Sequence, residues 1–306
     1  MVDITYLQAI TIALLQGVTE LFPVSSLGHS VLVPALLGGS WTHLVTESSA
    51  GGSDQSPYLT FVIALHVATA LALLYYYRTD WVRIIRGFLH TLTTRRVETS
   101  SERLAWLLVV GTVPVGITGL LLEHTFRALF AKPLAAAVFL TLNGLILFAG
   151  EAIRRRADVK QLALAYGAHA ADPADHEPAR RLDTLEYKEA AVIGVFQTFA
   201  LLAGISRSGI SLVGGLVRGL DHEDAAKFAF LLATPVILAA GVLKLPTLAG
   251  PAGHGIHGQI LVGALIAGVS SYLSIKFLTR YFETRTMIPF AIYCVVAGLL
   301  CTVYFA

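Results

Sequence analysis

The chain has 306 residues, of which 55% are hydrophobic and only 14% charged, and its formal net charge is +2. A soluble domain carries about 25% charged residues, and a near-neutral balance leaves no electrostatic footprint for nucleic acid, so neither a soluble fold nor a nucleic-acid partner is expected. The mean hydropathy of +0.70 points to long stretches in lipid, where each crossing helix takes about 20 mostly apolar residues.

The first apolar segment, 4–37, is broken near its middle by Pro23-Val-Ser-Ser-Leu-Gly28. Three uninterrupted segments follow at 59–77, 104–122 and 134–150, then a polar linker at 151–186. A second broken segment, 187–220, is divided by Gly204-Ile-Ser-Arg-Ser-Gly209, and three more apolar runs close the chain at 228–245, 259–277 and 287–305. Each arm of a broken segment is about 15 residues, roughly 22 Å as a helix, too short for a full crossing. Helix–break–helix segments of this kind fit re-entrant hairpins, which lipid tolerates where the backbone is enclosed by protein or lines a watery cavity. The expected fold is an all-α polytopic membrane protein. No Lys or Arg precedes Arg78 and Asp3 lies where a signal peptide would be basic, so no cleaved signal is expected. Cys294 and Cys301 stand seven apart on one apolar run, about 10 Å of helical rise and too far for a disulfide.

The Lys and Arg residues test this topology. If both hairpins return to the side they came from, 18 of the 22 basic residues fall in 78–103, 151–188, 218–227 and 276–285, all on one side. Arg127, Lys132 and Lys244 fall on the other, and Arg207 lies within a hairpin. The positive-inside rule then puts the basic loops in the cytoplasm and both termini outside, in a cell (plasma or inner) membrane.

An ungapped offset of 181 residues carries Tyr6 to Tyr187, Ala9 to Ala190, Gln16 to Gln197, Ser25 to Ser206, Gly28 to Gly209, Ser30 to Ser211 and Gly38 to Gly219. The identities gather around the two breaks. Each half, 1–150 and 187–306, then holds one hairpin and three spans. An odd number of crossings inserts the halves in opposite senses, as an inverted-topology repeat with its broken helices facing each other near the bilayer midplane.

Ionisable groups inside a membrane segment are costly and are functional candidates by default. The first break offers Gln16, Glu20, Ser25, Ser26 and His29, and the second Ser206, Arg207 and Ser208 between Gly204 and Gly209. Arginine forks onto phosphate oxygens, flanking glycines permit close backbone approach, and a helix restarting after Ser208-Gly209 would aim free N–H groups at an anion. Together these suit phosphoryl transfer from a lipid-borne phosphate. Read structurally instead, Glu20 and Arg207 would be an ion pair holding the halves together, Ser25 and Ser26 helix caps, and His29 an interior histidine. His66 in Ile63-Ala-Leu-His-Val67 reads as interior or pocket-lining, and Gln197 as a vestige of the repeat.

Gln16-Gly-Val-Thr-Glu20 followed by Leu21-Phe-Pro-Val-Ser-Ser-Leu-Gly-His29 resembles the signature of the undecaprenyl-diphosphate phosphatases, the bacitracin-resistance family. Ala203-Gly-Ile-Ser-Arg-Ser-Gly209 is similar to the second family motif, Ala64-Leu-His-Val-Ala-Thr69 to a third segment, and Ile288-Pro-Phe-Ala-Ile-Tyr293 to the terminal span. The resemblance runs the whole length. It implies an integral membrane phosphatase dependent on a divalent metal, Mg2+ or Ca2+, held near Glu20. The implied substrate is the polyprenyl diphosphate carrier of cell-envelope glycan synthesis, and the products are the monophosphate and inorganic phosphate. By position, Glu20, Ser26, His29 and Arg207 carry over as catalytic residues. Gln16, Ser25, Gly204, Ser206, Ser208 and Gly209 carry over as the substrate-binding set. Gln16 stands where an acidic residue is the alternative, and Ala203 and Ala68 replace a usual proline and glycine. Ser26 with His29 as base, or His29 directly, would attack the terminal phosphorus. The rival reading is a polyprenyl-phosphate flippase or secondary transporter on the same fold; a nucleophile beside an imidazole favours the enzyme. Membrane lipids surround either, and a homodimer is compatible with both.

Overall fold

A computed structural model describes residues 4–44, 57–122, 132–167, 180–249 and 255–306. Apart from one isolated bridge between Arg180 and Leu220, the regular structure among them is helical. The principal helices are α1 (Tyr6–Thr19), α2 (Ser26–Leu37), α3 (Pro57–Tyr76), α4 (Arg78–Thr94), α5 (Ser100–Leu121), α6 (Pro133–Gly167), α7 (Tyr187–Gln197), α8 (Arg207–Val217), α9 (His222–Ala249), α10 (His257–Phe282) and α11 (Ile288–Phe305). Six of them, α3, α5, α6, α9, α10 and α11, are long and apolar enough to cross a membrane. The chain is a multi-pass membrane protein.

The six apolar runs all appear as helices, but several begin or end outside the apolar stretch. α5 starts at Ser100 because Thr99 and Glu102 form a reciprocal capping box, the Thr99 hydroxyl taking the Glu102 N–H while the carboxylate takes the Thr99 N–H. α9 starts at His222, where the Asp221 carboxylate accepts the Asp224 N–H at 2.7 Å and Glu223 and Asp224 lie in the first turn. Acidic side chains at that end satisfy free amides and complement the helix dipole. Hydropathy registers neither device. Two segments expected as loops are helical: α6 runs on to Gly167, well into the expected linker, and the basic stretch after Arg78 forms α4. Residues 168–179 of the linker lie outside the described residues.

α1 packs on α10, α10 on α3, α3 on α9 and α9 on α8, while α7 packs on α5 and α6 on α11. The spanning portions of α3 and α9 are each 56% buried, against 17% for α11, so α3 and α9 form the centre of the bundle. Phe61, Phe228 and Phe230 are fully enclosed there. Without a hydrophobic driving force between helices in lipid, association depends on close packing of small residues. Gly144 on α6 shows this: a Cβ there would stand 2.7 Å from the Ala291 carbonyl of α11. Outward, Leu120, Leu265, Leu300 and Val303 are exposed, as lipid-facing side chains should be. Cys294 and Cys301 are both free thiols, as their spacing predicts.

The short helices α1, α2 and α8 are apolar but below spanning length. Both breaks end on the same device. Ser25 caps α2 by accepting the Gly28 N–H at 3.2 Å, and Ser206, its match at the 181-residue offset, caps α8 by accepting the Gly209 N–H at 3.1 Å. A serine N-cap supplies a partner for an amide that the helix leaves open.

Candidate active site

The two breaks meet. Glu20 ends α1, and Arg207 opens α8. The Arg207 Nη2 donates to Glu20 Oε1 at 2.9 Å across 187 positions of sequence. The other carboxylate oxygen, Oε2, accepts from Gln16 Nε2 at 2.9 Å and from the Ser26 hydroxyl in a short hydrogen bond. It also lies 3.3 Å from His66 Nε2 on α3. The Glu20 side chain is 4% exposed, and burying such a charge is tolerable only with several charge-assisted partners.

The Gln16 orientation follows from this. A carboxylate only accepts, so the amide nitrogen must face it, which turns Gln16 Oε1 away. That oxygen is buried and has no hydrogen-bond partner among the described residues. His66 is constrained in the same manner. Its Nδ1 lies 2.8 Å from the Val62 carbonyl, which turns Nε2 toward Glu20. His66, read from sequence as interior or pocket-lining, is thus a direct partner of the central carboxylate. Its being an ionisable group in a spanning helix was the available signal.

The backbone of the first break is locked by the second. The Ser25 hydroxyl accepts the Gly204 N–H at 3.1 Å as well as the Gly28 N–H. The hydroxyls of Ser208 and Ser206 reach the Phe22 carbonyl at 3.2 and 3.4 Å, and they lie 3.0 Å from each other. Asn143 on α6 holds both breaks, donating to the Pro23 carbonyl and accepting the Ser206 N–H, each at 2.9 Å. The sequence reading missed Asn143, although a buried amide in a spanning helix carries the same signal as His66. Ser25 itself has φ 69°, a left-handed value that costs energy in a residue with a side chain.

His29 is placed differently from its expected role. Its Nδ1 lies 2.7 Å from the Ser25 carbonyl and its Nε2 2.7 Å from the Tyr293 hydroxyl of α11. The carbonyl fixes the proton on Nδ1, so Nε2 accepts from Tyr293, and neither nitrogen is bonded to Ser26. The group that receives the Ser26 hydrogen bond is Glu20. In the sequence Tyr293 stood only as the last residue of the Ile288–Tyr293 stretch that resembles the terminal span, with no role attached to it. The expectation of free N–H groups beyond Ser208-Gly209 is also corrected: α8 begins at Arg207, and the Gly209 amide is already bonded to the Ser206 hydroxyl.

Gly28 and Gly204 touch where the breaks cross. A Cβ on Gly28 would stand 2.9 Å from the Gly204 Cα, and Gly204 is itself fixed at φ +112° with the Ala136 carbonyl behind it. Gly28→Ala should therefore destabilise the protein by about 1–3 kcal/mol, the cost of overpacking a site that cannot relax. Thermal unfolding in detergent measures this, and an unchanged midpoint would contradict the contact.

No group of three or more His, Cys, Asp or Glu side chains placed to hold a metal occurs among the described residues. The donors do fit a more open arrangement. Mg2+ and Ca2+ take oxygen ligands, and Mg2+ often needs only one or two carboxylates beside substrate phosphates and water. Glu20 and the orphaned Gln16 Oε1 are oxygen donors of the right class.

A profile of the family described as bacitracin resistance protein BacA matches residues 9–300. Undecaprenyl-diphosphatase 2 of Frankia alni is 63% identical, over 99% of this chain and 99% of its own. Undecaprenyl-diphosphatases of Mycolicibacterium paratuberculosis and Mycobacterium avium are each 54% identical, the first over 96% of this chain and 95% of its own, the second over 97% and 96%. A match of this extent takes in both breaks, their serine caps and the Glu20–Arg207 pair, and the chain belongs to the bacitracin resistance protein BacA family.

Proposed function

We propose that this site performs the reaction for which the relatives are named. The chain is an integral plasma-membrane phosphatase that hydrolyses undecaprenyl diphosphate to the monophosphate and inorganic phosphate, returning the lipid carrier to cell-envelope glycan synthesis. The observation that carries the assignment of residues is the Glu20 carboxylate, which holds the Ser26 hydroxyl on one oxygen and Arg207 on the other. A hydroxyl, its base and a phosphate-binding fork are in one place.

In this reading Arg207 keeps N–H donors beyond the one given to Glu20 and directs them at the diphosphate. Ser26 Oγ attacks the terminal phosphorus as its proton passes to Glu20. The bond from that phosphorus to the bridging oxygen breaks, and undecaprenyl monophosphate leaves. Water then attacks the phosphoserine: inorganic phosphate departs, and the serine oxygen recovers a proton. His66 supports the charge on Glu20. His29 acts as a positioning residue, its Nδ1–H holding the Ser25 carbonyl in the strained turn that presents Ser26. Glu20 and the Gln16 amide oxygen would hold a Mg2+ or Ca2+ ion, which when bound supplies neutralising charge for the phosphate oxygens. Gly204, Ser206, Ser208 and Gly209 shape the second break around Arg207.

The reading extends to topology. Segments 4–37 and 187–220 act as re-entrant hairpins, and 1–150 and 187–306 as inverted repeats joined by 151–186. The matched caps of Ser25 and Ser206 support this, as do two further pairs at the same offset: Gln16 with Gln197, and Ser30 with Ser211, each keep a buried side-chain atom without a partner among the described residues. The charge distribution supports cytoplasmic basic loops with both termini outside. A homodimer is compatible with a site drawn wholly from one chain.

The test is phosphate release from undecaprenyl diphosphate by the purified protein, with Mg2+, with Ca2+ and with chelator. Release with either ion, falling on chelation, is expected. Folded protein that releases none under any condition, yet moves the lipid between leaflets, would replace the enzyme with the flippase.

A further inference from the structure

α4 is the helix that the phosphatase reading leaves unexplained. Its 17 residues, RTDWVRIIRGFLHTLTT, are too few and too polar to cross a membrane. One face packs on the bundle. Gly87 and His90 meet Glu102, and Phe88 and Thr91 meet Trp106, all in the first two turns of α5. Asp80 pairs with Lys227, in the second turn of α9, at 3.0 Å. These contacts lie near the ends of the spans, so α4 sits across the end of the bundle.

A second face is apolar and uncovered. Val82, Ile85, Leu89 and Leu92 are 46%, 51%, 56% and 54% exposed, and their spacing sets them in one stripe along the helix. At 100° per residue, Arg86 and then Arg83 follow on the flank of the stripe opposite Phe88, between the stripe and Gly87. Both are exposed, as are Arg78 at the start of the helix and Arg95 and Arg96 just past its end. Among the described residues, Arg83, Arg86 and Arg95 have no ion pair. The helix's single acid, Asp80, is already paired with Lys227. In water this would be an open apolar patch. At a bilayer surface it is a consistent arrangement, with the stripe at the acyl boundary and the arginines among headgroups.

We propose that α4 is an interfacial helix that binds anionic lipid headgroups through Arg83, Arg86 and Arg95 while its Val82–Leu92 stripe is immersed in the leaflet. Charge complementarity selects anionic over zwitterionic lipid, because juxtamembrane arginines gain attraction from a negative leaflet surface. α4 joins two spanning helices, following α3 after one residue and preceding α5 by five, so its stripe stands at the level of their ends. Those ends are on the cytoplasmic side under the charge asymmetry above.

The experiment uses the full chain with Cys301→Ala in nanodiscs, with single nitroxide labels at Ile85→Cys, Leu89→Cys, Arg83→Cys or Arg86→Cys. Collision with lipid-soluble oxygen should exceed collision with an aqueous nickel chelate at 85 and 89, and the order should reverse at 83 and 86. Adding phosphatidylglycerol to phosphatidylcholine discs should shift 85 and 89 deeper, and R83Q/R95Q should abolish that shift. Labels at 85 and 89 as accessible to nickel as those at 83 and 86 would overturn the proposal and leave the stripe as a docking face for a protein. Immersion that ignores phosphatidylglycerol, or a shift that survives R83Q/R95Q, would overturn it too. None of these readouts depends on phosphatase activity, so failure here is separable from failure of the catalytic reading.

Discussion

The Arg207→Ala protein should release phosphate from undecaprenyl diphosphate about a hundred to a thousand times more slowly than the parent, the usual consequence of removing one preorganised donor to a reacting phosphate. Two effects combine. The fork for the diphosphate is lost, and Glu20 Oε1 loses the partner that offsets its burial. The second effect could unfold the protein rather than disable it, so the measurement needs a companion. In Glu20→Gln/Arg207→Ala no buried charge is orphaned, and thermal unfolding should return toward the parent value while activity stays absent. Arg207→Lys keeps the charge without the planar fork, and should raise KM more than it lowers kcat. Parental rates in the Arg207→Ala protein would remove Arg207 from the site.

Ser26→Ala should be still more damaging, with a loss of at least about a thousandfold, because the nucleophile itself is gone. The hydroxyl is buried and its hydrogen bond goes to Glu20, so alanine leaves a small void and frees one carboxylate lone pair. Acid quenching during turnover of substrate labelled in its terminal phosphate should recover labelled protein from the parent and none from the Ser26→Ala variant. A Ser26→Ala protein at full rate would remove Ser26 as the nucleophile. His29→Ala separates the roles of the two side chains. If His29 positions the turn, the variant should lose rate without changing the pH profile attributable to a base, since Nδ1 is bonded to a carbonyl and Nε2 accepts from Tyr293.

Four side chains converge on Glu20: Arg207 on Oε1, and Gln16, Ser26 and His66 on Oε2. Gln16 contributes by remaining uncharged: a carboxylate at the same place, 2.9 Å from Glu20 Oε2, would repel it unless a cation lay between them.

Some of this was written locally in the chain. Lipid requires about 20 apolar residues per crossing, so the six spans were legible from hydropathy. The Pro, Gly and Ser clusters marked the breaks, because several such residues together leave a helix too little support to continue, whereas the isolated Pro34 and Pro114 stay within helices. The offset between Ser25 and Ser206 predicted that the breaks are equivalent, and both do cap a restarting helix in the same way. Helix ends set by Thr99 and Asp221, the continuation of α6 through Gly167 and the formation of α4 were not visible in apolarity. Capping and amphipathic packing determine them, and hydropathy is blind to both.

By itself, then, the sequence determined a polytopic helical membrane protein with two polar breaks containing Glu20, Ser26, His29 and Arg207, since the solvent imposes that much on composition and spacing. Only the tertiary structure decided how those groups pair. His66 joins Glu20 from α3, Asn143 ties the breaks together from α6, and Tyr293 takes the His29 nitrogen that a base for Ser26 would need. These partners stand tens to hundreds of residues apart, and no local pattern encodes which side chains a folded bundle brings into contact. The two polar breaks do share one site, and it is organised around a carboxylate.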